Sequence, residues 1–114
     1  MNSLYRYHFR PAYHSDKMMF EFITGGGYDS FLPDLMNTLS AIHAQITGTT
    51  DLWMNDEVIY SLDTDLGSFE LSRDTWGTAF IMTNKWQAEL PKIDQLLKND
   101  GRFEKVDVDP EKYK

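Results

Sequence analysis

Aromatic and polar residues alternate near the start of the chain. Every second residue from Tyr5 to Phe9 is aromatic, and the residues between them are charged or histidine. A period of two predicts a half-buried strand, which Pro11 should end or place at a sheet edge. After a polar turn, the apolar positions of residues 18–23 alternate in the same way. We expect these two strands to form a hairpin.

A spacing of three and four residues between apolar positions follows the glycine run Gly25–Gly27. This stripe predicts an amphipathic helix over residues 30–47. Asp29 or Ser30 is a suitable N-cap, and Gly48 is a typical C-terminal stop. The positions of the stripe are Leu32, Leu35, Met36, Leu39, Ile42, His43 and Ile46.

Short apolar runs separated by polar turns fill the middle of the chain. They predict a meander of four strands at 52–54, 58–62, 68–72 and 78–82. The last run is almost continuously apolar, which is typical of a strand buried on both faces. We therefore expect it near the centre of the sheet.

A second helix is predicted after Asn84, because Trp86, Leu90, Ile93 and Leu97 are spaced four, three and four residues apart. Pro91 interrupts this pattern, since proline inside a helix removes a hydrogen bond and clashes with the preceding turn. Either the helix is kinked there, or a short turn ends at Leu90 and a new helix begins with Pro91. A short strand is expected within residues 103–108.

The predicted order is β-β-α-β-β-β-β-α-β. Strands dominate and short turns join most of them, so we expect an α+β fold: a mainly antiparallel sheet with two helices packed on one face. The length of 114 residues suits one domain. We assign residues 1–108 to that domain and residues 109–114 to a polar C-terminal tail.

The composition excludes several classes of protein. The chain has no cysteine, which rules out disulfide scaffolds and thiolate metal sites. Its formal charge of −7 argues against nucleic-acid binding, which needs an excess of lysine and arginine. No apolar run approaches the roughly 20 residues of a membrane span, and no secretory signal is recognisable. We therefore expect a cytoplasmic protein that binds neither nucleic acid nor membranes.

The negative charge is concentrated in one segment. Residues 51–74 contain a single basic residue, Arg73, and account for six of the seven net negative charges. We predict that the sheet face carrying Glu57, Ser61 and Glu70 joins the acidic side chains into one anionic surface that binds a basic partner. Trp53 and Trp76 would anchor this contact. The predicted partner-binding residues are Asp51, Trp53, Asp56, Glu57, Asp63, Asp65, Glu70, Asp74 and Trp76.

A plainer interpretation is that the acidic turns only keep a small domain in solution and that the tryptophans belong to its core. The sequence leaves both interpretations open.

Other candidate chemistry is weak. The glycine run Gly25–Gly27 before a helix could cradle a phosphate, but it lacks a P-loop lysine, and Asp29 would repel an anion. No two of the three histidines have the spacing of a helical zinc site. The pattern of Asp63, Asp65 and Gly67 only partly matches a calcium loop. We therefore expect no catalytic set, metal or cofactor, and a partly buried His43.

In size, acidity, α+β pattern and lack of a catalytic motif, the chain resembles bacterial immunity proteins, including those of contact-dependent growth inhibition systems. The resemblance implies a cytoplasmic protein that binds and blocks a cognate toxin, often a basic nuclease, by covering its active or substrate-binding surface. Two alternatives remain: a homodimeric regulatory or assembly subunit, and a small enzyme or ligand binder that uses the Gly25–Gly27 turn.

Overall fold

The described part of the backbone forms seven strands and two α-helices, in the order that the sequence predicts. The computed structural model describes residues 4–113. The strands are β1 (Tyr5–Pro11), β2 (Met18–Thr24), β3 (Gln45–Leu52), β4 (Glu57–Thr64), β5 (Gly67–Asp74), β6 (Ala79–Met82) and β7 (Phe103–Lys105). The helices are α1 (Phe31–Thr38) and α2 (Leu90–Asn99), with short 3₁₀ segments at Leu39–Ile42, Trp53–Asn55, Gln87–Glu89 and Pro110–Tyr113.

All seven strands belong to one sheet with the order β3-β4-β5-β6-β2-β1-β7. Neighbouring strands are antiparallel except β1 and β7, which are parallel. The predicted α+β class with a mainly antiparallel sheet is confirmed. β6 is the central strand, as predicted. It is not buried on both faces, because Ala79 and Ile81 are buried on one face whereas Phe80 and Met82 on the other are partly exposed.

Both helices pack on the same face of the sheet. Tyr5 and Tyr7 project from that face of β1, and their hydroxyls donate to Asp34 of α1 at 2.6 Å and to Asp94 of α2 at 2.8 Å. We call this side the helix face. The other side, the open face, carries the intervening residues of each strand. One row across it consists of His8, Glu21, Phe80, Ser72 and Ile59.

The core lies between the helix face and the two helices. Aromatic rings from β1, β2 and α1 pack mostly edge to face or tilted, with Phe22 and Phe31 at 5.0 Å between centroids. Burial of such large rings is the main stabilising contribution in a domain of this size. The core residues are Tyr5, Tyr7, Phe20, Phe22, Phe31, Leu35, Leu39, Leu62, Phe69, Leu71, Ala79, Ile81, Leu90, Ile93, Leu97 and Phe103.

The first helix is shorter than predicted. α1 ends at Thr38, and one 3₁₀ turn follows before His43, whose φ of 54° is left-handed and ends the helical path. The next residues form β3, so Gly48 lies inside a strand rather than after a helix. The helix-like spacing of Ile46 misled the prediction, because the threonines around it favour a strand and the pairing with β4 decides the outcome.

Two further predictions are corrected or resolved. The predicted strand at 52–54 is wrong: β3 already ends at Leu52, and Trp53–Asn55 form a 3₁₀ turn. Of the two alternatives for Pro91, the structure shows the second. A 3₁₀ turn ends at Glu89, and Pro91 lies in the first turn of α2, where proline needs no donor.

The predicted polar tail is packed onto the sheet. The Arg10 guanidinium lies between the rings of Tyr13 and Tyr113, at 5.2 and 4.5 Å from their centroids. The His14 backbone N–H donates to the Tyr113 carbonyl at 2.7 Å. Residues 1–3 of the predicted domain and residue 114 of the predicted tail lie outside the described residues.

Gly67 opens β5 in a conformation that only glycine adopts easily. Its φ is +132°, and an added Cβ would overlap the Trp86 ring. We expect Gly67→Ala to lower the free energy of unfolding by about 2 kcal/mol, through backbone strain and overpacking. Urea denaturation measures the change.

Gly48→Ala is the matched control, because its added Cβ would make an ordinary contact of 3.7 Å with Ser61 Oγ. We expect a change below about 0.5 kcal/mol there. Equal effects of the two substitutions would contradict the strain argument.

Candidate functional site

Three loops meet at one end of the sheet, which we call the loop end. They are residues 25–30 between β2 and α1, residues 53–56 between β3 and β4, and residues 75–78 between β5 and β6. A Cβ built on Gly27 would lie 2.9 Å from Gly77 Cα, so the first and third loops touch through their backbones. The Thr75 N–H donates to the Asp56 carbonyl at 3.0 Å, which joins the second and third.

Large apolar side chains project from these loops into solvent. Trp53 is 75% exposed, Met54 79% and Trp76 82%, and Tyr28 is about half exposed. The interpretation that Trp53 and Trp76 belong to the core is therefore wrong. Exposed aromatic residues grouped at one place on a monomer are typical of an interaction surface.

Local backbone features shape the two turns that carry Trp53 and Trp76. Trp53 begins the 3₁₀ turn that Asp56 closes in the left-handed region, with a φ of 54°. Asp74 Oδ1 accepts hydrogen bonds from the backbone N–H groups of Trp76 and Thr78, at 2.9 and 3.0 Å. This carboxylate therefore shapes the turn that presents Trp76.

A cleft of about 440 Å³ opens at the loop end beside Trp53. Its walls combine aromatic rings with four carboxylates and one guanidinium. The lining residues are Gly27, Asp51, Trp53, Asp56, Glu57, Val58, Tyr60, Arg73, Asp74 and Thr75. Trp76 is not among them.

Arg73, the one cation of the cleft lining, is directed at the glycine loop. Its Nε donates to the Gly26 carbonyl at 3.0 Å and its Nη2 to the Tyr28 carbonyl at 3.2 Å. Its guanidinium carbon lies 5.3 Å from the centre of the Phe31 ring. Arg73 therefore holds the loop in place and forms no ion pair with a described carboxylate.

The predicted acidic residues do not form one surface. Four of them project from the open face of β4 and β5, as strand alternation requires: Glu57, Asp63, Glu70 and Asp74. Glu57, Ser61 and Glu70 do share a face, as expected. Asp51, however, lies on the helix face of β3 opposite Val58, and Asp65 lies in the β4–β5 turn at the other end of the sheet. Consecutive turns of a meander fall at opposite ends, and this separates the charges.

Two groups of acids result. The loop-end acids are Asp51, Asp56, Glu57 and Asp74, which share the cleft with Trp53. Asp63 and Asp65 lie at the far end, where Ser68 donates to Asp63 at 2.6 Å and His43 bonds Asp65 at 2.5 Å. Glu70 stands between the two groups on the open face.

The loop-end acids have no basic partner within the described part of the chain. Seven ion pairs occur there, and the lysines and arginines in them bind other carboxylates: Glu104, Glu21, Glu89, Asp34, Asp100 and Asp94. Clustered carboxylates repel one another, and this repulsion lowers the stability of the folded domain. A cationic partner would relieve it.

His43 differs from the prediction of a partly buried histidine. Its side chain is largely exposed, and the hydrogen bond to Asp65 raises the pKa of the imidazole above its usual value. Sequence reasoning also missed Tyr28 and Met54. Met54 alone gave a signal, since it is an apolar residue beside Trp53 in a polar turn.

Among residues 4–113, no group of three histidine, aspartate or glutamate side chains is arranged to hold a metal ion. None of the described helices has the length and apolar character needed to cross a membrane.

Comparison with protein-family models, curated proteins and solved structures finds no match to the chain.

Proposed function

We propose that this chain is a protein-binding module that holds a basic partner at its loop end. The observation that carries the proposal is the position of Trp53, which is three-quarters exposed beside a cleft lined by four carboxylates that form no ion pair with a described basic residue. A rigid aromatic anchor surrounded by charge is the usual composition of a strong binding site. The carboxylates would attract lysine and arginine, and Trp53 would bury its ring against the partner.

The finer proposal is an immunity protein that covers the active or substrate-binding surface of a basic toxin, for example a nuclease. A nuclease carries lysines and arginines that neutralise phosphates. The loop-end acids would bind those cations in place of nucleic acid. The size and acidity of the chain, and its resemblance to immunity proteins, support this proposal.

Electrostatic attraction acts mainly on the rate of association. Carboxylates on one partner and cations on the other speed the encounter, and salt screens the effect. For this module, the four loop-end acids should therefore control how quickly the partner binds, while Trp53 should control how long it stays.

The test is the association rate with the protein that copurifies with the chain from its native cell, measured from about 50 to about 300 mM NaCl. The test variant combines Asp51→Asn, Asp56→Asn and Glu57→Gln. We expect it to associate about tenfold more slowly than the parent at low salt and to depend less on salt.

A second triple variant removes the same charge elsewhere: Asp63→Asn, Asp65→Asn and Glu70→Gln. We expect it to associate within about twofold of the parent, because these residues lie away from the cleft. Equal slowing by both variants would assign the effect to net charge and contradict a binding site at the loop end. Asp74 is left unchanged because it shapes the Trp76 turn.

A further inference from the structure

The two edge strands of the sheet differ in length and in exposure. β7, at one edge, has three residues, and the segment after it hydrogen-bonds to β1 through the Val106 N–H and the Tyr7 carbonyl. β3, at the other edge, has eight residues, of which seven are exposed. Its ladder runs to β4, and no other described strand lies beside it.

β3 lacks most of the features that protect a sheet edge. Natural edges are kept from pairing by proline, lysine, bulges or shortness. β3 contains neither proline nor lysine, and its one irregularity falls between Ile46 and Gly48. From Gly48 to Leu52 the pairing with β4 is regular, so five residues offer an open backbone edge to another strand.

This edge leads directly into the proposed binding site. Leu52 is followed by Trp53, and Asp51 lines the cleft from within β3. A strand lying along β3 would therefore reach Trp53 and the loop-end acids without a change of direction. The acid nearest to it on the helix face would be Asp51, and on the open face it would be Glu57 of β4.

We propose that the basic partner binds by adding a strand to β3, with lysine or arginine side chains directed at these acids. This inference rests on the proposed function and specifies how the partner is recognised. Main-chain hydrogen bonds would supply affinity, and the carboxylates and Trp53 would supply specificity.

A second copy of the chain fits this edge less well. Each copy carries a net charge of −7, which opposes association. Of the seven exposed residues of β3 only Ile46 has a large apolar side chain, so pairing two copies would bury little apolar surface. A cationic strand gains from the charges that repel a second copy.

The probe is a synthetic eight-residue peptide, acetylated and amidated, in which lysine and valine alternate. Its control has the same charge but carries proline at two of the valine positions, so it cannot form a continuous ladder. Backbone amide exchange is measured by NMR, together with the Trp53 indole resonance. We expect the first peptide to slow exchange of outward-facing β3 amides at least tenfold, and the control to leave them unchanged.

Proline substitution in β3 provides the matched test on the protein. Adjacent residues of an antiparallel strand direct their N–H groups to opposite sides, so of Thr49 and Thr50 one faces β4 and the other faces outward. Exchange in the free protein identifies the outward amide as the faster one. Proline at that position should abolish protection by the peptide and leave the thermal midpoint within about 2 °C of the parent.

The possible failures are distinguishable. If both peptides shift the Trp53 indole equally and neither protects β3, the strand proposal is wrong and the proposed function stands. If neither peptide shifts the indole, both are wrong. If β3 amides are already protected in the free protein, and sedimentation shows a dimer, a second copy occupies the edge and the strand proposal is overturned.

Discussion

Trp53→Ala is expected to weaken binding of the partner about a hundredfold. A tryptophan that becomes buried on binding removes roughly 150–250 Å² from water, and truncation of such an anchor costs about 2–4 kcal/mol. Trp53 is 75% exposed in the free chain, so about three-quarters of this surface is available to a partner. Isothermal titration calorimetry with the copurified partner gives the dissociation constants.

Trp76→Ala is the matched control, since both tryptophans are exposed in loops at the same end of the sheet. Trp76 does not line the cleft, and we expect its removal to weaken binding less than tenfold. Neither substitution should change the urea midpoint, because neither side chain is in the core. An unchanged dissociation constant for Trp53→Ala would remove the anchor from the proposed site.

Arg102→Met is expected to lower the free energy of unfolding by about 3 kcal/mol at pH 7. The guanidinium donates five hydrogen bonds, which connect the turn before β7 with α1. Two of its partners, Asp34 and Asp100, are less than a quarter exposed. Methionine fills similar space without a charge, so both carboxylates would be left partly buried and unpaired, which is costly.

The effect should depend on pH. The hydrogen bonds from Arg102 and Thr38 hold the pKa of Asp100 well below its ordinary value of 3.8. A depressed pKa contributes stability that is fully present above the unfolded-state pKa and is lost as the pH falls through the folded-state pKa. The difference between parent and variant should therefore be constant from about pH 5 to 8 and narrow below about pH 4.

Arg6→Met is the control for this series. Arg6 binds Glu104 at 2.8 Å, but both side chains are about half exposed. Surface ion pairs contribute about 0–1 kcal/mol, so we expect a small change with little dependence on pH. If urea denaturation gives equal losses for the two arginines, the Arg102 cluster has no special role in stability.

The order of elements and the mainly antiparallel class were predicted from three patterns: the alternation in β1 and β2, the helical spacing in α1 and α2, and the short apolar runs in the middle of the chain. Periodicity works for these strands because one face is buried and the pattern must follow the pleat. It failed for Ile46, which fits a helical stripe as well as a strand. The pairing of β3 with β4 decides between them, and such long-range contacts leave no local signal.

The candidate site was predictable in its residue types but only partly in its arrangement. Charge counting identified the acidic segment, and the structure places Asp51, Asp56 and Glu57 beside Trp53. Charge counting could not show that Asp63 and Asp65 lie at the opposite end. It also could not show that Trp53 and Trp76 are exposed, because a tryptophan in a turn has no periodic neighbours to indicate its environment.

The parallel pairing of β1 with β7 has a consequence for synthesis on the ribosome. Tyr5 pairs with Phe103, so β1 gains its second neighbour only after about a hundred further residues have been translated. β3, β4, β5 and β6 are consecutive hairpins and need only short loops to close, and closures of this kind are fast. A nascent chain can therefore complete the hairpins of β3 to β6 before it can enclose its aromatic core, and the open β3 edge is present during that interval.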